Sequence, residues 1–223
     1  MNRTQKLSVS MMCADLLNLE QEIKTLESLN VDYLHIDIMD NNFVPNLTFG
    51  IDTVNRMREI TTTPFDIHLL TNYPLQIIRS LKIQENDIMT IHSECKDDIM
   101  ENIAFIKKQK SRFGLALNPE TSIRKIHKYL PYVDVILLML IVPGFAGSTM
   151  IHGIMEKVGT VKNYLQDNNF DNIEIEVDGS VSIDKAVYMK NLGATIFVGG
   201  TSAIFKKDEK IQNTITDFYK IMK

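Results

Sequence analysis

The sequence predicts an α/β fold, a closed (β/α)8 TIM barrel. Three observations predict it: apolar strand-like runs alternate with amphipathic stretches along the whole chain, the runs number eight, and 223 residues are enough for eight such units in one domain. The runs are Leu7–Met12, Tyr33–Ile38, Phe65–Leu70, Ile88–Ile91, Arg112–Leu117, Val133–Leu138, Ile173–Val177 and Ile196–Val198. Each is nearly continuous in apolar residues at its centre, as a parallel strand covered on both faces requires. Between them, Leu16–Leu29 sets Leu16, Leu19, Ile23 and Leu26 against Glu20, Glu22 and Lys24. Ile99–Lys108 repeats the pattern with Ile99, Ile103 and Ile106. Thr121–Tyr129 follows Asn118-Pro119, with Ser122 as its cap. Ile154–Leu165, Ile183–Leu192 and Ile211–Met222 complete the alternation, and Gly193 stands where a helix C-terminal glycine is expected. An open doubly wound sheet is the competing architecture, but no GxGxxG follows the first strand. No linker or composition shift divides residues 1–223, which read as a single domain.

Bulk properties narrow the function. The net charge is −4, and the 24 basic residues are scattered, which recommends neither nucleic acid nor a membrane surface as partner. No run of uncharged apolar residues is long enough to span a bilayer, and the first residues lack the apolar core of a secretory signal. Two distant cysteines, Cys13 and Cys95, make no disulfide framework and fit a reducing, cytoplasmic setting.

Barrel enzymes carry their reactive groups where strands end, at the C-terminal mouth. The second strand ends in His35-Ile36-Asp37, whose two polar side chains share a face. The third carries His68 and the seventh Asp178. Any one of these reads equally well as a hydrogen-bonded core residue. Four at matching strand ends point instead to a divalent cation: zinc first, with manganese, cobalt, iron or magnesium as alternatives. His92 reads as a hydrogen-bonded core histidine, His127 as solvent-facing, and Cys13 as a small buried residue without an activating neighbour. Small residues follow the last three strands, in Pro143–Ser148, Asp178-Gly179-Ser180 and Gly199–Ser202. Backbone there can approach an anion, so a phosphate site is expected at that side of the mouth.

Several segments carry a family resemblance: VSMMCADLL near the start, HIDIMDNNFVPNLTFG from His35, DIHLL from Asp66, LALNPET from Leu115, PGFAGS from Pro143, EVDGS from Glu176 and VGGTSAIF from Val198. Together they resemble the ribulose-phosphate 3-epimerases over nearly the whole chain. Within that family, SMMCADLL, PGFAG, EIEVDGS and the GTS near residue 200 are more similar to D-allulose-6-phosphate 3-epimerases. The resemblance implies a barrel of the ribulose-phosphate-binding type that inverts carbon 3 of a ketose phosphate. D-allulose 6-phosphate and D-fructose 6-phosphate are the first expected pair. D-ribulose 5-phosphate and D-xylulose 5-phosphate are the alternative.

The resemblance further implies one divalent metal on His35, Asp37, His68 and Asp178, with Asp37 and Asp178 as acid and base. Ser10 would bond the sugar, and Met39 and Met139 would wall the reacting carbons. Gly144, Gly147, Gly179, Ser180, Gly200 and Thr201 would approach the phosphate, with Ser148 beside them. A homo-oligomer is implied too, since dimers and hexamers both occur in the family. The departures are Asn41-Asn42 for Gly-His, Leu70 for a pocket methionine, Leu140 and Val142 for a polar pair, and Ser148 for glutamine. Leu140, Val142 and Ser148 motivate a reading from another class, a sugar-phosphate-binding barrel with impaired catalysis. A metal-free isomerase or lyase would need a lysine or glutamate at a strand end, for which Glu94 is the candidate.

Overall fold

The computed structural model describes residues 4–223, so residues 1–3 of the expected domain lie outside the described residues. Eight parallel strands close into a barrel in chain order: β1 (Lys6–Ser10), β2 (Tyr33–Met39), β3 (Phe65–Leu70), β4 (Ile88–His92), β5 (Arg112–Leu117), β6 (Val135–Met139), β7 (Glu174–Asp178) and β8 (Ile196–Gly199). All eight expected runs are strands, most displaced by a residue or two. β1 ends early because Met11–Cys13 turn into a 3-10 segment. β6 starts two residues late, after Asp134, whose carboxylate accepts the Phe113 N–H at 2.7 Å.

The expected helices form as α1 (Leu19–Ser28), α4 (Ile99–Lys108), α5 (Glu156–Asp167), α6 (Ile183–Asn191) and α7 (Ile211–Ile221). Two further helices are not expected from the sequence: α2 (Ile51–Ile60) and α3 (Pro74–Ile78). α2 buries Val54, Met57 and the whole side chain of Arg58, paired with Asp87, so a charged residue interrupts its apolar stripe. α1 is shorter than Leu16–Leu29, since Leu16 and Leu17 fall in an exposed turn before it. The expected helix at Thr121–Tyr129 is a 3-10 segment, Ile123–Tyr132, with Pro131 inside it. Ser122 caps it as expected, accepting the Arg124 N–H at 3.3 Å. Gly193 has φ +108° after α6, the left-handed value that favours glycine.

Strand register determines what fills the barrel. Successive layers come alternately from even and odd strands. Lowest is a charged rim from odd strands, where Lys6 and Arg112 both pair with Glu174. Above it Tyr33, Ile88, Val135 and Ile196 form a closed apolar plug. The next layer, Ser8, Asp66, Gly114 and Glu176, is polar, and each of its three side chains is fully buried. His35 lies above Asp66, and His68, Asp37 and Asp178 lie above that. A barrel interior this polar is costly unless its groups bind one another or a ligand.

Two consequences are testable. A Cβ on Gly114 would sit 2.1 Å from Thr90 Oγ1 and 2.9 Å from its Cβ, whereas one on Gly159 in α5 would meet Leu192 at an ordinary 3.5 Å. Gly114→Ala is expected to lose about 1–3 kcal/mol through overpacking. Gly159→Ala should gain about 0.5–1 kcal/mol from helix propensity; urea denaturation of both variants checks the opposite signs. In the rim, burial raises the Glu174 carboxyl, but Lys6 and Arg112 outweigh it and hold the group below its ordinary value. Its stabilising contribution is therefore complete above the unfolded-state pKa of about 4.3 and disappears as pH falls through the lower folded value. Glu174→Gln should flatten the acid limb of a stability–pH curve; a limb as steep as wild type would show that other carboxylates set it.

Candidate active site

The mouth of the barrel holds a cavity of about 540 Å³, counting its open side. Ser10, Asp37, Met39, Met139, Gly144, Gly147, Asp178, Gly179, Ser180, Gly200 and Thr201, all expected there, line it. His35 and His68 lie just beneath, fully buried. Ser148 does not line it: its hydroxyl turns back to the Phe145 carbonyl at 2.9 Å, and its own carbonyl accepts the Ser180 hydroxyl. Leu140 is packed in the core and Val142 is 71% exposed, so neither reaches the cavity, and Ile141 stands in the wall between them. The three departures that suggested lost substrate contacts therefore do not touch the pocket. Leu70 does, beside Met39. Asn41 takes φ +55°, a value asparagine tolerates in place of glycine.

At the floor of this cavity His35, Asp37, His68 and Asp178 each offer a ligand atom, all within 4.8 Å of one another. Asp37 Oδ1 lies 3.2 Å from His35 Nε2 and 3.0 Å from His68 Nδ1. The other nitrogen of His35 donates to Asp66 Oδ2 at 2.6 Å, and Ser8 Oγ donates to the same oxygen at 2.7 Å. Burial opposes a charge on His35, but Asp37 and Asp66 outweigh it and hold the ring well above the ordinary imidazole value, so Nε2 carries a proton toward Asp37 that a cation would replace. The set of two imidazoles and two carboxylates suits a borderline divalent ion. The residues present fit such a group.

Sequence reasoning missed the supporting shell. Asp66, Glu176 and Ser8 each stand two residues before His68, Asp178 and Ser10 on the same strands, so strand periodicity carried the signal. Asp66 and Glu176 are buried against each other. Burial and the neighbouring Asp66 charge push Glu176 well above the ordinary carboxylate value, while His35 helps hold Asp66 down at about 2. The two acids are thus pushed in opposite directions.

The two upper carboxyls differ as well. Burial raises Asp178 to about 7, with the charges of Asp37 and Asp66 adding to it against His35. Burial also opposes the charge on Asp37, but His35 and His68 overcome it and hold that group below its ordinary value. Unequal carboxyls facing one cavity are suited to giving and taking protons. Burial lowers His68 to about 4, which leaves it neutral and able to ligate. Cys13, expected as a small buried residue, is instead half-buried and lines the cavity, and burial raises its thiol. His92 is buried and hydrogen-bonded, and His127 is exposed, as expected.

The class of protein is a (β/α)8 barrel with a two-imidazole, two-carboxylate centre at its mouth. The sequence model of the ribulose-phosphate 3 epimerase family matches residues 6–205, and the chain belongs to that family. The ribulose-phosphate 3-epimerase of Bacillus subtilis is 34% identical over 92% of this chain and 94% of its own. That of Chlamydia pneumoniae is 36% identical over 89% and 87%, and that of Escherichia coli K12 is 31% identical over 91% and 90%. Among solved structures, KGPDC from Streptococcus mutans superposes with a TM-score of 0.65 at 13% identity, covering 99% of this chain and 98% of that one, a likeness of fold alone. No helix among the described residues is long and apolar enough to cross a membrane.

A cation in this centre should stabilise the fold. At one hundred times its Kd a bound ion adds about 2.7 kcal/mol, roughly 5–10 °C in Tm for a chain of this size. Thermal unfolding with zinc, manganese or cobalt, before and after a chelator, measures the shift. Asp178→Asn should shrink it, and an equal shift in that variant would remove Asp178 from the ligand set.

Proposed function

We propose that the chain is a metal-dependent epimerase that interconverts D-ribulose 5-phosphate and D-xylulose 5-phosphate. The carrying observation is the pair Asp37 and Asp178, which face one cavity from strands on different sides of the ring and hold protons with unlike affinity. Relatives named ribulose-phosphate 3-epimerase, at 31–36% identity, support the pentulose substrate. The sequence-based preference for D-allulose 6-phosphate gives way to it, because none of those relatives bears a hexulose name. Ser180 keeps the hexulose phosphate as a second reading: the pentulose-type motif has glycine there, and Ser180 holds a left-handed φ of +50° to bond the Ser148 carbonyl.

The chemistry follows from the residues. Asp37 takes the proton from carbon 3 on one face of the ketose, and Asp178 returns one to the other face, which inverts the centre. Negative charge gathers on the ketone and hydroxyl oxygens as the enediolate forms. A divalent ion, zinc first among the candidates, supplies Lewis-acid stabilisation when bound. His35 and His68 would hold it with the two carboxylates. Met39, Met139, Leu70 and Ile141 provide an apolar wall that keeps water from the planar intermediate. Gly144, Gly147, Gly179, Ser180, Gly200 and Thr201 would take the phosphate on backbone N–H groups, and Ser10 a sugar hydroxyl. The positive φ of Gly144 (132°) and Gly179 (116°) supports close backbone approach there. Anchoring the remote phosphate lends binding energy to placing carbon 3. Action as one catalytic barrel, cytoplasmic location and homo-oligomeric assembly belong to the same reading; two free cysteines fit the location.

The test is turnover of the metal-loaded protein on both ketose phosphates, with product stereochemistry read by NMR. D-Ribulose 5-phosphate should be converted with the higher kcat/KM, and preference for the hexulose would establish the second reading. Asp37→Asn and Asp178→Asn should each lose about 10²–10⁴-fold in kcat. Wild-type rates in both, or a ligand-stabilised wild type that converts neither sugar, would sink the proposal.

A further inference from the structure

Two residues outside the cavity lining sit behind the centre without a part in the chemistry above. His92, at the end of β4, is fully buried, and its Nε2 lies 2.8 Å from His68 Nε2. The two rings stack at 4.9 Å between centroids, and Phe43 covers His92 from another side at 4.7 Å. On the far side His92 Nδ1 meets Glu94 Oε2 at 3.3 Å. The other oxygen of Glu94 accepts the Asn118 N–H at 3.1 Å and the Thr121 hydroxyl. Metal, His68, His92, Glu94 and the β5 loop would thus form one line.

We propose that His92 and Glu94 are positioning residues that fix the tautomer and ring angle of His68, and thereby set the cation affinity of the centre. Proton placement follows from donors and acceptors. Ionised Glu94 can only accept, so His92 presents Nδ1–H to it and the Nε2 lone pair to His68. His68 answers with Nε2–H. Its own lone pair is then on Nδ1, which faces Asp37 Oδ1 at 3.0 Å. A lone pair facing a carboxylate oxygen at that distance repels it unless a cation lies between them. His35 reaches its supporting carboxylate, Asp66, directly. His68 reaches its own, Glu94, through a second imidazole, so its tautomer depends on a carboxylate two groups away. The inference rests on the proposed role of His68 as a ligand.

Glu94→Gln tests it with almost no change in shape. The amide has one acceptor oxygen, and the Asn118 N–H claims it. The NH₂ group is then turned to His92 Nδ1, which must become the acceptor. His92 would carry its proton on Nε2, against the proton of His68, and His68 would have to surrender the ligating tautomer. Zinc affinity by chelator competition should fall about 10–100-fold, the range for losing such a support, and His92→Phe should fall in the same direction. The ¹⁵N signals of the zinc-loaded full chain provide a readout that mere packing would not move. In wild type they should show protons on His92 Nδ1 and His68 Nε2, with the His92 pattern inverted in Glu94→Gln. A wild type that binds zinc with His92 protonated on Nε2, or a folded Glu94→Gln with unchanged affinity and tautomers, overturns the relay alone. A wild type that binds no zinc overturns the metal-centre reading, and the relay with it.

Discussion

One oxygen organises this barrel. Asp37 Oδ1 stands within 3.2 Å of ring nitrogens from both His35 and His68, at a depth where only 5% of the aspartate is exposed. A buried carboxylate there requires compensating positive charge, and each imidazole has one nitrogen turned to it. The rest of the interior serves that convergence. Asp66 and Ser8 hold the far side of His35, and His92 and Glu94 hold the far side of His68. Burial and the Asp66 charge push Glu176 well above the ordinary carboxylate value, which opposes a second charge in the layer below. Gly114 yields its place in that polar layer to the Thr90 side chain. The apolar plug of Tyr33, Ile88, Val135 and Ile196 then seals the polar column from the charged rim.

This arrangement divides the work between strands and loops. The centre is built on β2, β3 and β7, where register places His35 beside Asp66, and Asp37 beside His68. Backbone ladders on both sides leave those side chains little freedom, as metal ligation demands. The substrate wall, by contrast, is mostly loop. The β2–α2 loop is tied to the β6–α5 loop by Asn46 Nδ2 donating to the Gly144 carbonyl at 2.6 Å, and Ser180 ties the β6–α5 and β7–α6 loops through Ser148. Departures from the family pattern cluster in these loops. Their effect is on loop joinery more than on the pocket surface: Ser148 contributes a carbonyl to a bond between loops, and Asn41 a left-handed turn.

The fold and the grouping of His35, Asp37, His68 and Asp178 at its mouth were legible because both follow from short-range rules. Continuous apolar runs mark strands covered on both faces, and the strand-end rule locates chemistry in a barrel. His35 and Asp37 announced a shared face by their spacing alone. The same spacing joins Asp66 to His68 and Glu176 to Asp178, yet those acids lie toward the barrel centre and not at its mouth, where the strand-end rule does not reach. α2 and the 3-10 form of Ile123–Tyr132 were less legible for a different reason. α2 puts an arginine, Arg58, among its three buried residues, and Pro131 lies inside the 3-10 segment, so the apolar pattern marks neither plainly. Leu140 and Val142 misled in the opposite direction. The alternation of β6 runs on past its end: Leu137, Met139 and Ile141 share the inner face, while Leu140 turns to the core outside the cavity and Val142 to solvent.

The pattern of support around the centre also bears on how the two carboxyls come to differ. Both are buried aspartates at strand ends, so sequence alone makes them equivalent. Asp37 touches two imidazoles, and the charge on His35 outweighs burial to hold it below its ordinary value. Asp178 has no imidazole at hydrogen-bonding distance, receives a Gly179 backbone N–H, and faces the charges of Asp37 and Asp66, so burial dominates and its proton is held to about pH 7. The asymmetry comes from β2 and β3 being neighbours in the ring while β7 is not. Strand order, set by the regular alternation of the sequence, therefore gives the two acids different neighbours and brings them to one cavity from different parts of the ring.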